Sequence, residues 1–250
     1  MRSLAIGLAV VGATGAAVAA ARQVGRPPVV SVWYRGTPEG VPRLDDLAAL
    51  RAAGFTGVTW PPDEPAAVAE LTRLARTVDL AVVTRPDLTV RVTPGAPRFA
   101  AAVWRALARG SRAIAFDPGQ RAGPGLTDPR GERLAWVRPA TEFAGQVSAN
   151  PRLLGSLGPG PKVVLEAPAP RDLEVTLLDG GRAWVLVATN TAPVEVRAVA
   201  RLPPGVPYAL WVSLLDGGTM SMLREAGGAR WTLTIGAGDA RVYVIDKTLK

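Results

Sequence analysis

The 250-residue chain contains no cysteine and no histidine. Without cysteine there are no disulfides, no thiolate metal site and no sulfur nucleophile. Without histidine there is no Ser-His-Asp triad and no zinc site of the usual imidazole-rich kind. General acid or base chemistry is left to Asp and Glu, with Tyr and Lys as poorer groups. Aromatics are sparse, at 6% of residues. Dense blocks of one charge are missing too. The formal net charge is +8, but the arginines behind it are scattered, with no basic stripe interleaved with aromatics. Nucleic acid is therefore not an expected partner. No metal and no cofactor are expected.

What is present is enough apolar material for a large core, 48% of the residues, so wholesale disorder is not expected. The N-terminus opens with Arg2 and an uncharged run from Ser3 to Ala21, with Ala17-Val-Ala19 and Ala19-Ala-Ala21 as small-x-small cleavage patterns. Residues 1–21 read as an export signal peptide, and the expected location is secreted, periplasmic or cell envelope. A run of this length also approaches the span of a bilayer, so an uncleaved leader is the one route to a membrane anchor. Ala9-Val-Val-Gly12-Ala-Thr-Gly15-Ala resembles a dinucleotide phosphate turn. That fingerprint needs an acidic residue about 20 residues on, at the end of a second strand, and Trp33-Tyr34-Arg35 supplies none.

Residues 29–157 alternate strands with helices. Val29-Val-Ser-Val-Trp-Tyr34, Phe55-Thr-Gly-Val-Thr-Trp60, Leu80-Ala-Val-Val-Thr84 and Leu88 to Val92 read as strands. Helices are expected over 44–53, from Pro65 to Val78, around Val103 and Leu107, and over 134–157. Gly54 and Gly110 suit the left-handed position that ends a helix. Ala113-Ile-Ala-Phe116 is apolar on both faces, as a covered parallel strand is, and Asp117-Pro-Gly breaks it. Such alternation predicts βαβ units and a parallel sheet. The carboxyl ends of those strands are where chemistry collects. Asp117 and Asp87 are accordingly the candidate catalytic pair, against the plainer reading of a turn former and a loop cap. Trp33 and Trp60, with Arg35 and Arg85 beside strand ends, are the candidate sugar-binding surface: flat aromatic walls with a few polar groups.

Asp46-Leu-Ala-Ala-Leu-Arg-Ala-Ala-Gly-Phe-Thr-Gly-Val-Thr-Trp60 is similar to a first helix and second strand, and the segment from Trp104 to Phe116 to a last helix–strand pair. Gly125-Leu-Thr-Asp128-Pro-Arg-Gly-Glu132 then precedes a closing helix. Through these segments, residues 29–155 resemble the (β/α)8 barrel of glycoside hydrolases, in the large clan with catalytic glutamates on two strand ends. The resemblance implies a partial, TIM-type (β/α) barrel, because a full barrel takes about 250 residues and the middle strands have no counterpart between Val92 and Pro97. No Asn-Glu pair occurs, and glycoside hydrolysis requires two carboxylates about 5–10 Å apart. An incomplete barrel leaves sheet edges open, so association with a second copy or a covering partner is expected.

After Gly158-Pro-Gly-Pro161 the period changes to two. Seven short strands over 162–248 are punctuated by Asp179-Gly-Gly, Asn190-Thr-Ala-Pro and Asp216-Gly-Gly turns. The expected architecture is an antiparallel β-sandwich, similar to the sandwich that follows the barrel in many glycoside hydrolases. Glu166, at the boundary, reads as structural. The fold class is thus α/β plus all-β. Two functions stay open: a carbohydrate-active protein of glycosidase type, or a non-catalytic module derived from one that binds a saccharide or a protein.

Overall fold

The computed structural model describes residues 25–37, 40–61, 65–92, 99–119, 125–127, 131–208 and 210–248. The expected leader, the Gly12 and Gly15 turn, and the acidic residues Asp63, Glu64 and Asp128 lie outside the described residues. Among the described residues no helix is long and apolar enough to cross a membrane.

The first half runs β1 (Val29–Trp33), α1 (Leu44–Ala52), β2 (Gly57–Thr59), α2 (Pro65–Thr77), β3 (Ala81–Val83), β4 (Leu88–Arg91), α3 (Ala100–Ala108) and β5 (Ala113–Asp117). Asp45 and Asp46 lie in the first turn of α1, where carboxylates favour the positive end of the helix dipole. Gly54 and Gly110 close α1 and α3 at φ +99° and +98°, a backbone conformation that a side chain disfavours. The five strands form one parallel sheet in the order β3-β2-β1-β5-β4. The first strand therefore pairs with the last, and β3 and β4, adjacent in sequence, stand at opposite edges.

Only Thr84 to Asp87 join those edges. A flat sheet would separate them by four spacings of about 4.8 Å, and Leu88 also starts about three residues lower than Val83, so a flat link would need about 22 Å. Five residue steps reach about 18 Å at most. The sheet is consequently curled. On its convex side Val30, Val32, Val58, Ile114 and Phe116 are fully buried. Phe116 sits among Phe99, Phe55 and Trp136, with ring centroids 4.9 to 6.3 Å apart.

The single helix expected over 134–157 is two, α4 (Val137–Ala149) and α5 (Pro151–Gly155). Pro151 lacks an N–H and clashes with the preceding turn, so it starts a helix instead of continuing one. The second half follows with β6 (Gly158–Pro159), β7 (Val164–Leu165), β8 (Leu173–Asp179), β9 (Ala183–Asn190), β10 (Val196–Leu202), β11 (Trp211–Ser213), β12 (Thr219–Met220), β13 (Leu223–Glu225), β14 (Gly228–Ile235) and β15 (Ala240–Asp246). They build a six-stranded sheet, β12-β11-β15-β9-β8-β6, and a four-stranded sheet, β13-β14-β10-β7. The chain is thus a parallel α/β unit followed by antiparallel sheets.

β9 shows how the two halves join. Leu186 and Ala188 face the inner core with Trp231 and Leu233. Val185 and Val187 belong to the cluster of the parallel half, so both faces of β9 are covered. Arg105 on α3 fixes the junction. Its Nη2 donates to the Asp172 carbonyl at 2.9 Å, and its Nε to Thr189 Oγ1 at 3.2 Å. The buried Asn190 side chain locks the β9–β10 turn, donating toward the Val194, Ile235 and Gly236 carbonyls and accepting from the Ala192 N–H.

Candidate functional site

The register fixes which side chains share the concave face. Residues 30, 32, 114 and 116 point to the helices, so their neighbours in sequence point the other way. One row across the sheet is Ala81, Gly57, Ser31, Ala115 and Thr89. Two residues nearer the carboxyl ends, a second row is Val83, Thr59, Trp33, Asp117 and Arg91, with Trp33 placed opposite Asp117 by extending the β1–β5 register one residue. The lower row is small and forms a floor. Ser31 Oγ and Thr59 Oγ1 share a 2.6 Å hydrogen bond there, and both residues are fully buried.

Trp33, Asp117 and Arg91 stand on three adjacent strands above that floor. The indole Nε1 of Trp33 donates to Thr89 Oγ1 at 3.3 Å. That bond spans β5, where Ala115 offers only a methyl group, so the ring lies across the concave face with part of its surface exposed. Asp117 Oδ1 accepts the Gly119 N–H at 2.9 Å. Its other oxygen lies 3.9 Å from Arg91 Nε, and the side chains of Asp117 and Arg91 are 19% and 90% exposed. The arrangement offers an aromatic face, one carboxylate acceptor and one solvated guanidinium donor. It can stack on a ring and hold its hydroxyls from two sides. Among the described residues of the five strands and their immediate carboxyl ends, Asp117 is the sole carboxylate. Among the described residues no group of three or more acidic side chains is placed to hold a metal ion.

The expected catalytic pair does not come together. Asp87 precedes β4, and its Oδ2 accepts the backbone N–H groups of Arg112 at 2.5 Å and Ala113 at 2.9 Å. By the β4–β5 register it is level with Ala113, four residues or about 13 Å below Asp117. The cause is local: the chain turns back after β3, and Asp87 caps the start of the next strand pair instead of closing the previous strand. Trp60 is also placed differently from expectation. It is 2% exposed on the helix side of β2 and packs edge-on against Tyr34, 5.6 Å between centroids. A ring so enclosed offers no stacking face. Tyr34 donates to Asp46 Oδ2 at 2.8 Å and accepts the Arg43 N–H at 2.9 Å; burial pushes its phenol up from its ordinary value.

Trp33 and Asp117 are brought into one row, and Arg35 follows Trp33 on the exposed surface. Arg85 is exposed in the link between β3 and β4, and neither arginine makes a hydrogen bond or ion pair with a described residue. Sequence reasoning missed Thr89 and Arg91. Their signal was the polar residue at every second position of Leu88-Thr-Val-Arg91, which puts both on one face.

No protein-family model matches the chain, and no curated protein matches it. Solved structures that its backbone matches are glycoside hydrolases. They include the family 30, subfamily 8 xylanase Xyn30A from Clostridium acetobutylicum, at 14% identity and TM-score 0.38 over 77% of this chain and 49% of that one. A family 30 endoxylanase from Clostridium papyrosolvens C71 matches at 13% identity and TM-score 0.37, over 88% and 56%. The Geobacillus thermoleovorans alpha-amylase GTA, complexed with acarbose, matches at 10% identity and TM-score 0.40, over 82% and 63%. The chain spans about half the length of the two xylanases. At these identities and scores the matches assign no residue role and no reaction to this chain.

Proposed function

We propose that the chain is an exported saccharide-binding protein on a glycosidase-like scaffold, one that holds a sugar without hydrolysing it. The observation that carries this reading is the row Trp33, Asp117 and Arg91: a partly exposed indole beside one carboxylate and one guanidinium. A ring stacked on Trp33 would find an acceptor in Asp117 and donors in Arg91 and Arg35. Hydrolysis by the usual route needs a second carboxyl group across the scissile bond, and Asp87 is engaged by backbone N–H groups at the other end of the sheet. The sheet order supports a barrel ancestry, since pairing of the last strand with the first is how a closed ring of parallel strands ends. The alanine-rich leader supports export.

The test is a glycan array on the purified chain, followed by calorimetry with the best glycan and a screen of chromogenic glycosides. The expected outcome is binding that Trp33→Ala weakens about tenfold or more, as loss of a stacking aromatic does, with no turnover. Glycoside cleavage that Asp117→Asn abolishes would overturn the non-catalytic reading in favour of a hydrolase. Absence of binding to any glycan would overturn the saccharide reading itself.

A further inference from the structure

A cavity of about 480 Å³ lies at the opposite end of β5 from Asp117, between the end of α3 and the edge of the antiparallel half. Its charged lining is all of one sign: Arg109, Arg112 and Lys162. The nearby carboxylates are already engaged. Glu174 is held by Arg109 at 2.6 Å and by Arg105 at 3.3 Å, and Asp87 accepts the two N–H groups that open β5. Three lining cations thus stand near two acids that already have partners. Lys162 is exposed and makes no ion pair with a described residue.

Arg112 is half-buried and donates to the Leu157 carbonyl at 2.9 Å, without a carboxylate in ion-pair range among the described residues. Burial pushes its guanidinium down from its ordinary value, with Asp87 opposing the shift. A half-buried cation with no carboxylate in ion-pair contact favours an incoming anion. Thr176 also lines the cavity, and its hydroxyl has no hydrogen bond to a described residue. At the end of α3 the carbonyls of Arg105, Ala106 and Leu107 accept the N–H groups of Arg109, Gly110 and Ser111. The remaining walls are leucine, valine, proline, alanine and glycine. The volume falls in the range of small-molecule sites and far exceeds a bare inorganic anion.

We propose that this cavity binds a small organic anion, its carboxylate or phosphate head held by Lys162, Arg112 and Arg109 and its apolar body against the leucine and proline walls. The experiment is calorimetry on the full chain at low salt with four probes: phenyl phosphate, benzoate, inorganic phosphate and benzyl alcohol. At least one of the two aromatic anions is expected to bind about tenfold or more tightly than both inorganic phosphate and benzyl alcohol; which one binds better distinguishes a phosphate from a carboxylate head. Lys162→Glu is expected to weaken that binding about tenfold or more. Arg197→Glu, the same charge change on an exposed strand of the sandwich, leaves it within about twofold. The proposal is overturned if neither aromatic anion binds, if they bind no tighter than inorganic phosphate, or if the two variants lose affinity equally, since equal loss marks only the general field of a +8 chain.

Discussion

The antiparallel sheets and the concave face of the parallel sheet treat charge in opposite ways. In the antiparallel half, acids and bases are tied to one another. Glu166 on the strand-to-strand connection after β7 binds Arg201 and Arg230, which also reach Glu225. Asp179 and Lys247 pair across β8 and the end of β15, and Lys247 lies 4.1 Å from the Trp184 ring centroid. On the concave face of the parallel sheet the charged groups are not tied in this way: Arg91 is 90% exposed and only loosely near Asp117. Cross-strand charge pairs of the first kind stabilise and orient sheets. A solvated guanidinium, a half-covered indole and a lone carboxylate do little for stability, which marks the concave face as a surface with groups available to a ligand.

The largest expected effect tests whether the halves are separate at all. One apolar cluster runs from Phe116 and Trp136 through α3 to Val185 and Val242. Phe116→Ala should lower unfolding free energy by about 3–5 kcal/mol while urea unfolding stays a single transition by both circular dichroism and tryptophan fluorescence. Two separated transitions would break the picture of a shared core. Next, Asn190→Ala removes an amide that serves three carbonyls and one N–H at the sandwich turn. The expected loss is about 2–3 kcal/mol, the desolvation cost of groups left unpaired, read from the same urea curves.

Smaller still is the stability effect of Trp33→Ala, within about 1 kcal/mol because the ring covers a concave face and fills no core. A loss comparable to that of Phe116→Ala would make Trp33 a packing residue and dissolve the contrast. The smallest effect concerns pH. The Arg230 and then Arg201 hydrogen bonds hold the Glu166 carboxyl below the ordinary carboxylate range. A lowered folded-state value gives stability that is complete above the ordinary carboxylate value of about 4.3 and lost as pH falls through the lowered one. Thermal unfolding followed from pH 6 to pH 3 should therefore show a downward slope that Glu166→Gln makes shallower; an unchanged slope in that variant would remove Glu166 as its source.

Much of the fold is legible in residue order because periodicity survives burial. The parallel strands read as short apolar runs ended by Gly, Pro or Asp, and the sandwich strands as period-two segments between Asp-Gly-Gly and Asn-Thr-Ala turns. The short strands β6, β12 and β13 are not legible, since they sit among glycines and prolines that read as turns. The break at Asn150 is hidden because a proline inside an apolar stripe reads equally as a kink or as a new start. For the site, Asp117 and Trp33 follow from strand-end logic. Asp87 misleads because sequence does not say whether an acid between two strands ends the first or begins the second; only the return of the chain after Val83 decides that. Trp60 misleads because a place at a strand end does not say which face a residue takes: Val58 faces the helices, and Trp60, two residues on, faces them too.

The link of four residues between β3 and β4 has an evolutionary and engineering corollary. Among the described residues it is the one place where the parallel ladder is discontinuous, so further strand–helix units spliced between Val83 and Leu88 would widen the ring without shifting the register of any existing pair. Growth or shrinkage of such a scaffold is confined to that seam, while the β1–β5 closure that carries Trp33 and Asp117 stays untouched.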